Sequence, residues 1–272
     1  MKRFFVLLLA AACLSFAETS AQNAVADYDV SGVVTTVAGA PVEGVVVSDG
    51  YSVVTTDKQG EYRIKRHPEA FYVFYSVPAE YEIPLRHGAP CFYKKLTDAK
   101  RYDFVVKPMK RGAEKNFTLF CIADPQCQTI RHVHRLRTET IPDVKASAAK
   151  RKTPCYAVSL GDIAYSQGPR NATYLLPIIK EEMSVSNLGM PIFQTMGNHD
   201  NEHEAIALND HNSTPMVRYQ RTFESVFGPV NYSWNRGNVH IVCMRDIIYN
   251  SNTNASNYSL GFTDEQYQCC LL

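Results

Sequence analysis

The 272-residue chain has almost no excess of charge of either sign: 28 lysines and arginines stand against 27 aspartates and glutamates, for a formal net charge of +1. A near-neutral protein has no field that would gather nucleic acid. The basic run Lys150-Arg151-Lys152 reads as a solvated helix end. No Cys-x-x-Cys occurs among the eight cysteines, which argues against a zinc knuckle. The scattered cysteine spacing outlines no disulfide framework. Past residue 12 no apolar stretch approaches the roughly 20 residues that a membrane-spanning helix needs. The dipeptide Gly-His is also missing. What the chain has is 45% hydrophobic residues, ample for a folded core, and a length that fits one large or two modest domains.

The chain begins like a targeting segment. Lys2 and Arg3 precede an apolar run from Phe4 to Ala12, and Thr19-Ser20-Ala21 supplies small residues before a cleavage point. Residues 1–21 are therefore expected to be a signal peptide and the protein to be exported, periplasmic or secreted. Lipoprotein anchoring at Cys13 is the lesser alternative. Residues 26–108 carry short β-like runs separated by turn signals, among them Gly39-Ala40-Pro41, Asp49-Gly50 and Asp57-Lys58-Gln59-Gly60. This spacing predicts a small β-sandwich. His67 and His87 are isolated, and a spacer role is expected for this part. Residues 109–115 are polar and punctuated, and read as a linker.

Residues 116–272 change character. Three apolar runs, each reading as a short buried strand, end in turns rich in chemistry: Ala123-Asp124-Pro125-Gln126, Gly161-Asp162, and Gly197-Asn198-His199-Asp200. The anchors Asp124, Asp162 and Asn198 lie 38 and 36 residues apart, and each gap fits one strand-helix-strand unit. Parallel strands would put all three turns on one rim of the sheet, where α/β proteins bind ligands. Two carboxylates and an amide oxygen, with an imidazole beside them, suit divalent cations. The helices are expected near residues 130–144, with Pro142 as a break or kink, and near 172–185. Residues 200–222 read as an excursion over the site, and Phe223–Phe227, Asn231–Trp234 and Val239–Met244 as further strands. Cys121 and Cys243 read as buried thiols, and His240 as a structural strand residue. Thr263 and Gln266 are spaced as a capping box.

Asp124-x-Gln126, Gly161-Asp162 and Gly197-Asn198-His199-Asp200, in this order and spacing, resemble the first three motifs of the calcineurin-like metallophosphoesterases. The pattern Gly39-x-Pro41-Val42-x-Gly44 … Thr56-Asp57-x-x-Gly60-x-Tyr62 resembles transthyretin-like or carboxypeptidase-regulatory-like modules. Together the resemblances imply a multidomain fold, a β-sandwich followed by an α/β phosphoesterase sandwich. They also imply hydrolysis of a phosphate-ester substrate with two divalent ions (Mn, Fe, Zn or Mg), about 3.5–4 Å apart. Carried over by motif, Asp124 binds the first ion, Asp162 bridges both, and Asn198 binds the second through its amide oxygen. His199 faces the phosphate or leaving oxygen, and Asp200 holds the imidazole.

Two departures stand out. Gln126 occupies the position where the family usually has histidine, and the later Gly-His-x-His motif is not in the sequence. The expectation drawn from these departures is a truncated phosphoesterase core. The alternative from a different class is a non-catalytic exported binding or surface protein with an incomplete metal site.

Overall fold

The computed structural model describes residues 28–166, 171–202, 214–251 and 257–270. The signal-peptide reading, with Cys13, and the histidines His203 and His211 lie outside them.

The first part is β-rich. Strands β1 (Val30–Thr36), β2 (Val46–Ser48), β3 (Val53–Thr55), β4 (Glu61–Ile64), β5 (Tyr72–Tyr75), β6 (Leu85–Arg86), β7 (Ala89–Pro90), β8 (Tyr93–Lys95) and β9 (Phe104–Val106) follow one another in the chain. They form one sheet ordered β4-β1-β9, a second ordered β3-β2-β5-β8, and the small pair β6-β7. Period-2 alternation sets the faces: Val30 and Val34 of β1 and Tyr62 and Ile64 of β4 point into the core.

The second part holds β10 (Thr118–Ile122), β11 (Cys155–Ser159) and β12 (Ile192–Phe193), parallel and adjacent in that order. The β10-to-β11 connection runs through α1 (Ile130–Arg135), one wide π-helical turn (Leu136–Thr140) and α2 (Ile141–Ala149). Pro142 does not break the helix path. It sits in the first turn of α2, where no intrahelical N–H is required of it, directly after the π turn. Between β11 and β12 lie a 3-10 turn (Thr173–Leu175), α3 (Leu176–Glu182) and α4 (Val185–Leu188). Then come α5 (Pro215–Phe227), the antiparallel pairs β13 (Tyr232–Arg236) with β14 (Val239–Cys243) and β15 (Ile247–Tyr249) with β16 (Tyr258–Leu260), and α6 (Asp264–Cys270).

Two expectations need correction. Phe223–Phe227 is the end of helix α5, not a strand. Pro215 starts that helix, Val217, Gln220, Phe223 and Phe227 recur at helical spacing, and Gly228 at φ 100° ends it. Cys121 is exposed rather than buried, because β10 is the edge strand of its sheet. His240 is on strand β14, as expected; it is exposed, with its Nδ1 at 2.8 Å from Asn235 Oδ1. Cys243 is buried, as expected, and the Thr263/Gln266 capping box forms both of its reciprocal bonds, at 2.8 and 3.3 Å.

The two parts share one buried core, so the first is more than a tethered spacer. Trp234 of β13 is fully buried, stacks on Phe193 of β12 at 4.1 Å, and bridges to Val77 of the β-rich part. Phe92 meets Tyr232 at 5.0 Å and Phe193 at 5.9 Å. Polar bonds cross the same boundary: the Asn235 backbone N–H donates to the Val77 carbonyl (2.9 Å), and the Tyr72 hydroxyl donates to the Glu224 carbonyl (2.7 Å).

Candidate active site

The parallel sheet puts the three turns on one edge, and backbone bonds then tie them together. The loops after β10 and β11 run side by side: Gln126 N–H donates to the Asp162 carbonyl (2.8 Å), and Cys127 N–H to that of Ile163 (3.0 Å). The loop after β12 joins through Ser166 N–H to the His199 carbonyl (2.9 Å). Two glycines allow the approach. A Cβ on Gly161 would come within 2.8 Å of Gly197 Cα, and a Cβ on Gly197 would lie 2.2 Å from Asp162 Oδ1.

The backbone at these turns is strained. Among the described residues four non-glycine residues have positive φ: His87, Asp124 (48°), Gln126 (43°) and Asp162 (50°). Left-handed conformation costs most L-residues roughly 1–2 kcal/mol each. Three of the four are candidate metal ligands named by the sequence, so the strain is concentrated where the chemistry would be.

The side chains converge. The Gln126 amide nitrogen donates toward Asp162 Oδ2 (3.3 Å) and lies 3.5 Å from Asp124 Oδ1, placed between two carboxylates. The other Asp162 oxygen accepts the His199 backbone N–H at 2.9 Å. Asn198 donates through Nδ2 to the Tyr258 hydroxyl (3.0 Å), which orients the amide and leaves its oxygen for another partner. Asp124 is exposed, Gln126 and Asn198 are half-buried, and Asp162 is buried.

His199 stacks on Tyr165, centroids 4.3 Å apart, and its Nδ1 lies 3.0 Å from the Ser166 carbonyl. A carbonyl can only accept, so Nδ1 carries the proton and Nε2 is the atom left for chemistry. Here the structure corrects a sequence expectation: Asp200 does not hold this imidazole. Its Oδ1 accepts Ala164 N–H (2.8 Å) and its Oδ2 accepts Gly197 N–H (2.9 Å), so it staples the second and third loops together. Burial pushes the Asp200 carboxyl up to about 7, against the lowering effect of these backbone donors.

Sequence reasoning missed several supporting residues. Tyr165 and Ser166 hold His199, Tyr258 orients Asn198, and buried Glu202 ties residues 171–173 to α5 by accepting from Asn171, Thr173 and Thr222. His132 is half-buried and lines a cavity of about 400 Å3 beside Asp124 and Gln126. Its Nδ1 accepts the Gln128 N–H at 3.2 Å, so Nε2 carries the proton.

Among the described residues no group of three or more histidine, cysteine, aspartate or glutamate side chains is placed to hold a metal ion. The oxygen donors gathered here are two carboxylates, Asp124 and Asp162, and two amides, Gln126 and Asn198. Such a set fits a hard divalent cation, and the Gln126 amide already places a donor where positive charge would sit.

Comparison with known proteins adds an independent line. Residues 28–109 match the family described as N terminal of calcineurin-like phosphoesterase. The match supports that family, and it lies wholly outside the three loops, so segment and motifs point the same way without sharing a residue. No curated protein matches the chain. Among the described residues no helix is long and apolar enough to cross a membrane.

Proposed function

We propose that the protein hydrolyses phosphate esters with divalent cations held by Asp124, Gln126, Asp162 and Asn198. The observation that carries this reading is the strained, left-handed backbone at three of these four residues, which joins their side chains at one sheet edge. Cations bound there would supply Lewis acidity to a phosphoryl group and to an attacking water. Asp162, lodged against Gly197 with one oxygen on the His199 N–H, is the carboxylate best placed to be shared by two ions. The Asn198 amide presents its oxygen because Tyr258 takes its nitrogen. His199 keeps Nε2 for the substrate: protonated, it donates to a phosphoryl or leaving-group oxygen, and the Ser166 carbonyl and the Tyr165 ring hold it in position. Asp200 has a positioning role, fixing the loop that carries Asn198 and His199. Export through residues 1–21 is part of the same proposal, and the substrate class would then be extracytoplasmic phosphate esters.

A second reading has its own support. With only two acidic side chains in the cluster among the described residues, the protein would bind cations weakly and act as an exported binding protein on the same architecture. Turnover of an aryl phosphate in the presence of manganese separates the two. The enzyme reading expects hydrolysis that chelator abolishes and that is lost in both Asp162→Ala and His199→Ala. Hydrolysis unchanged in either variant would remove the role assigned to that residue.

A further inference from the structure

A second cavity, of about 260 Å3, lies between the β-rich part and α5, and none of the three loops lines it. Its volume is just under the roughly 300–1,000 Å3 of sites for drug-sized ligands. One wall is a ring platform. Tyr51 and His67 stack with centroids 3.8 Å apart and planes 15° from parallel. A single carboxylate sets that platform: Asp49 accepts Tyr51 N–H (3.0 Å) and Ser52 N–H (2.8 Å) on Oδ1, and His67 N–H (2.9 Å) on Oδ2. Two chain segments are thus pinned to one side chain, which pre-organises the rings. Phe71 and Tyr72 extend the apolar wall, edge to face at 4.9 Å.

The opposite wall is polar and almost completely buried. Gln220 and Glu224 come from α5, and Arg245 from the segment between β14 and β15, each less than a tenth exposed. Arg245 donates to Gln220, and Glu224 pairs with Arg221 at 3.0 Å. The wall therefore offers a guanidinium, a carboxylate and an amide side by side, and Asp49, Glu69 and Glu265 add further carboxylates to the cavity lining. An anion would meet these carboxylates, and a cation the buried Arg245 guanidinium, in a confined space. Hydroxyl groups both donate and accept, and so serve all three without adding charge. Their carbon skeleton, in ring form, presents an apolar C–H face to a stacked aromatic wall.

We propose that this cavity binds a neutral polyhydroxylated ligand of the size of one sugar ring, clamped between the two parts of the molecule. The site does not depend on the hydrolytic reading of the three loops. The test is calorimetric titration of the full chain with D-glucose, D-galactose, D-mannose and N-acetyl-D-glucosamine, and with inorganic phosphate as the charged control. At least one sugar should bind and raise the melting temperature, since a ligand held by the folded form alone stabilises it. Tyr51→Ala and Gln220→Ala should each weaken that binding about tenfold or more, the equivalent of one or two lost contacts. Asp162→Ala should leave it unchanged, which keeps this outcome apart from any failure of the phosphoesterase reading. Should Tyr51→Ala not fold, Tyr51→Phe keeps the ring, and an affinity about fivefold weaker is expected from loss of the hydroxyl. Binding by none of the four sugars, binding of phosphate in their place, or sugar affinities unaltered in the folded variants would overturn the proposal.

Discussion

The loop cluster at the edge of β10, β11 and β12 and the cavity against α5 are both polar, and they are built in opposite ways. In the cluster, carboxylates of like charge are brought to one amide by backbone held at positive φ. In the cavity, Glu224 and Arg245 are buried together with compensating charge, and ring stacking does the shaping. Like charges on strained backbone are unfavourable unless positive charge belongs there. Opposite charges in a packed wall need no such partner. On this difference rest the two proposals, cations for the first region and a neutral ligand for the second.

The comparison can be broken most severely at Asp162. Asp162→Ala should lower turnover of an aryl phosphate by about a thousandfold or more, since it removes the carboxylate we propose the cations share. Steady-state kinetics with saturating manganese would check this, and sugar binding to the cavity should not change. Next in size is Trp234→Ala, which empties the core joining the two parts and should cost about 3–5 kcal/mol in denaturant titrations. Gly197→Ala drives a methyl into Asp162 Oδ1 and should cost about 1–3 kcal/mol while also weakening cation binding.

Glu224 gives a pH signature. Burial raises its carboxyl from 4.5 to about 7. Across that interval the folded state holds a proton that the unfolded state has released. Stability from this group is therefore greatest below about pH 4.5, falls as pH rises, and is lost above about pH 7. Chemical melts of Glu224→Gln should lose this pH dependence, on the order of 3 kcal/mol across the window. The gentlest change, Gln126→His, should tighten transition-metal binding about tenfold, because imidazole is the better ligand; competition with a metal-sensing dye would report it.

Much of the cluster was legible because turns at regular spacing behind apolar strands leave a trace in the sequence: Asp124, Gln126, Asp162, Asn198 and His199 were all identified there. Their supports were not. Asp200 binds backbone N–H groups, which carry no residue signature, whereas the family resemblance implies a pairing with the imidazole. Tyr258 reaches Asn198 from a hairpin 60 residues away. In the fold, Phe223–Phe227 looked like a strand in a five-residue window, and only the longer rhythm from Pro215 shows the helix. Cys121 sits in an apolar run, but its place on an edge strand is a property of topology.

Equilibrium dialysis of the purified protein against manganese, beside Asp162→Ala, bears most directly on the central claim that the three loops gather oxygen donors to hold divalent cations. Close to two equivalents on the wild type, with most of that lost in the variant, is the expected result. No bound manganese, or equal amounts on both proteins, would contradict it.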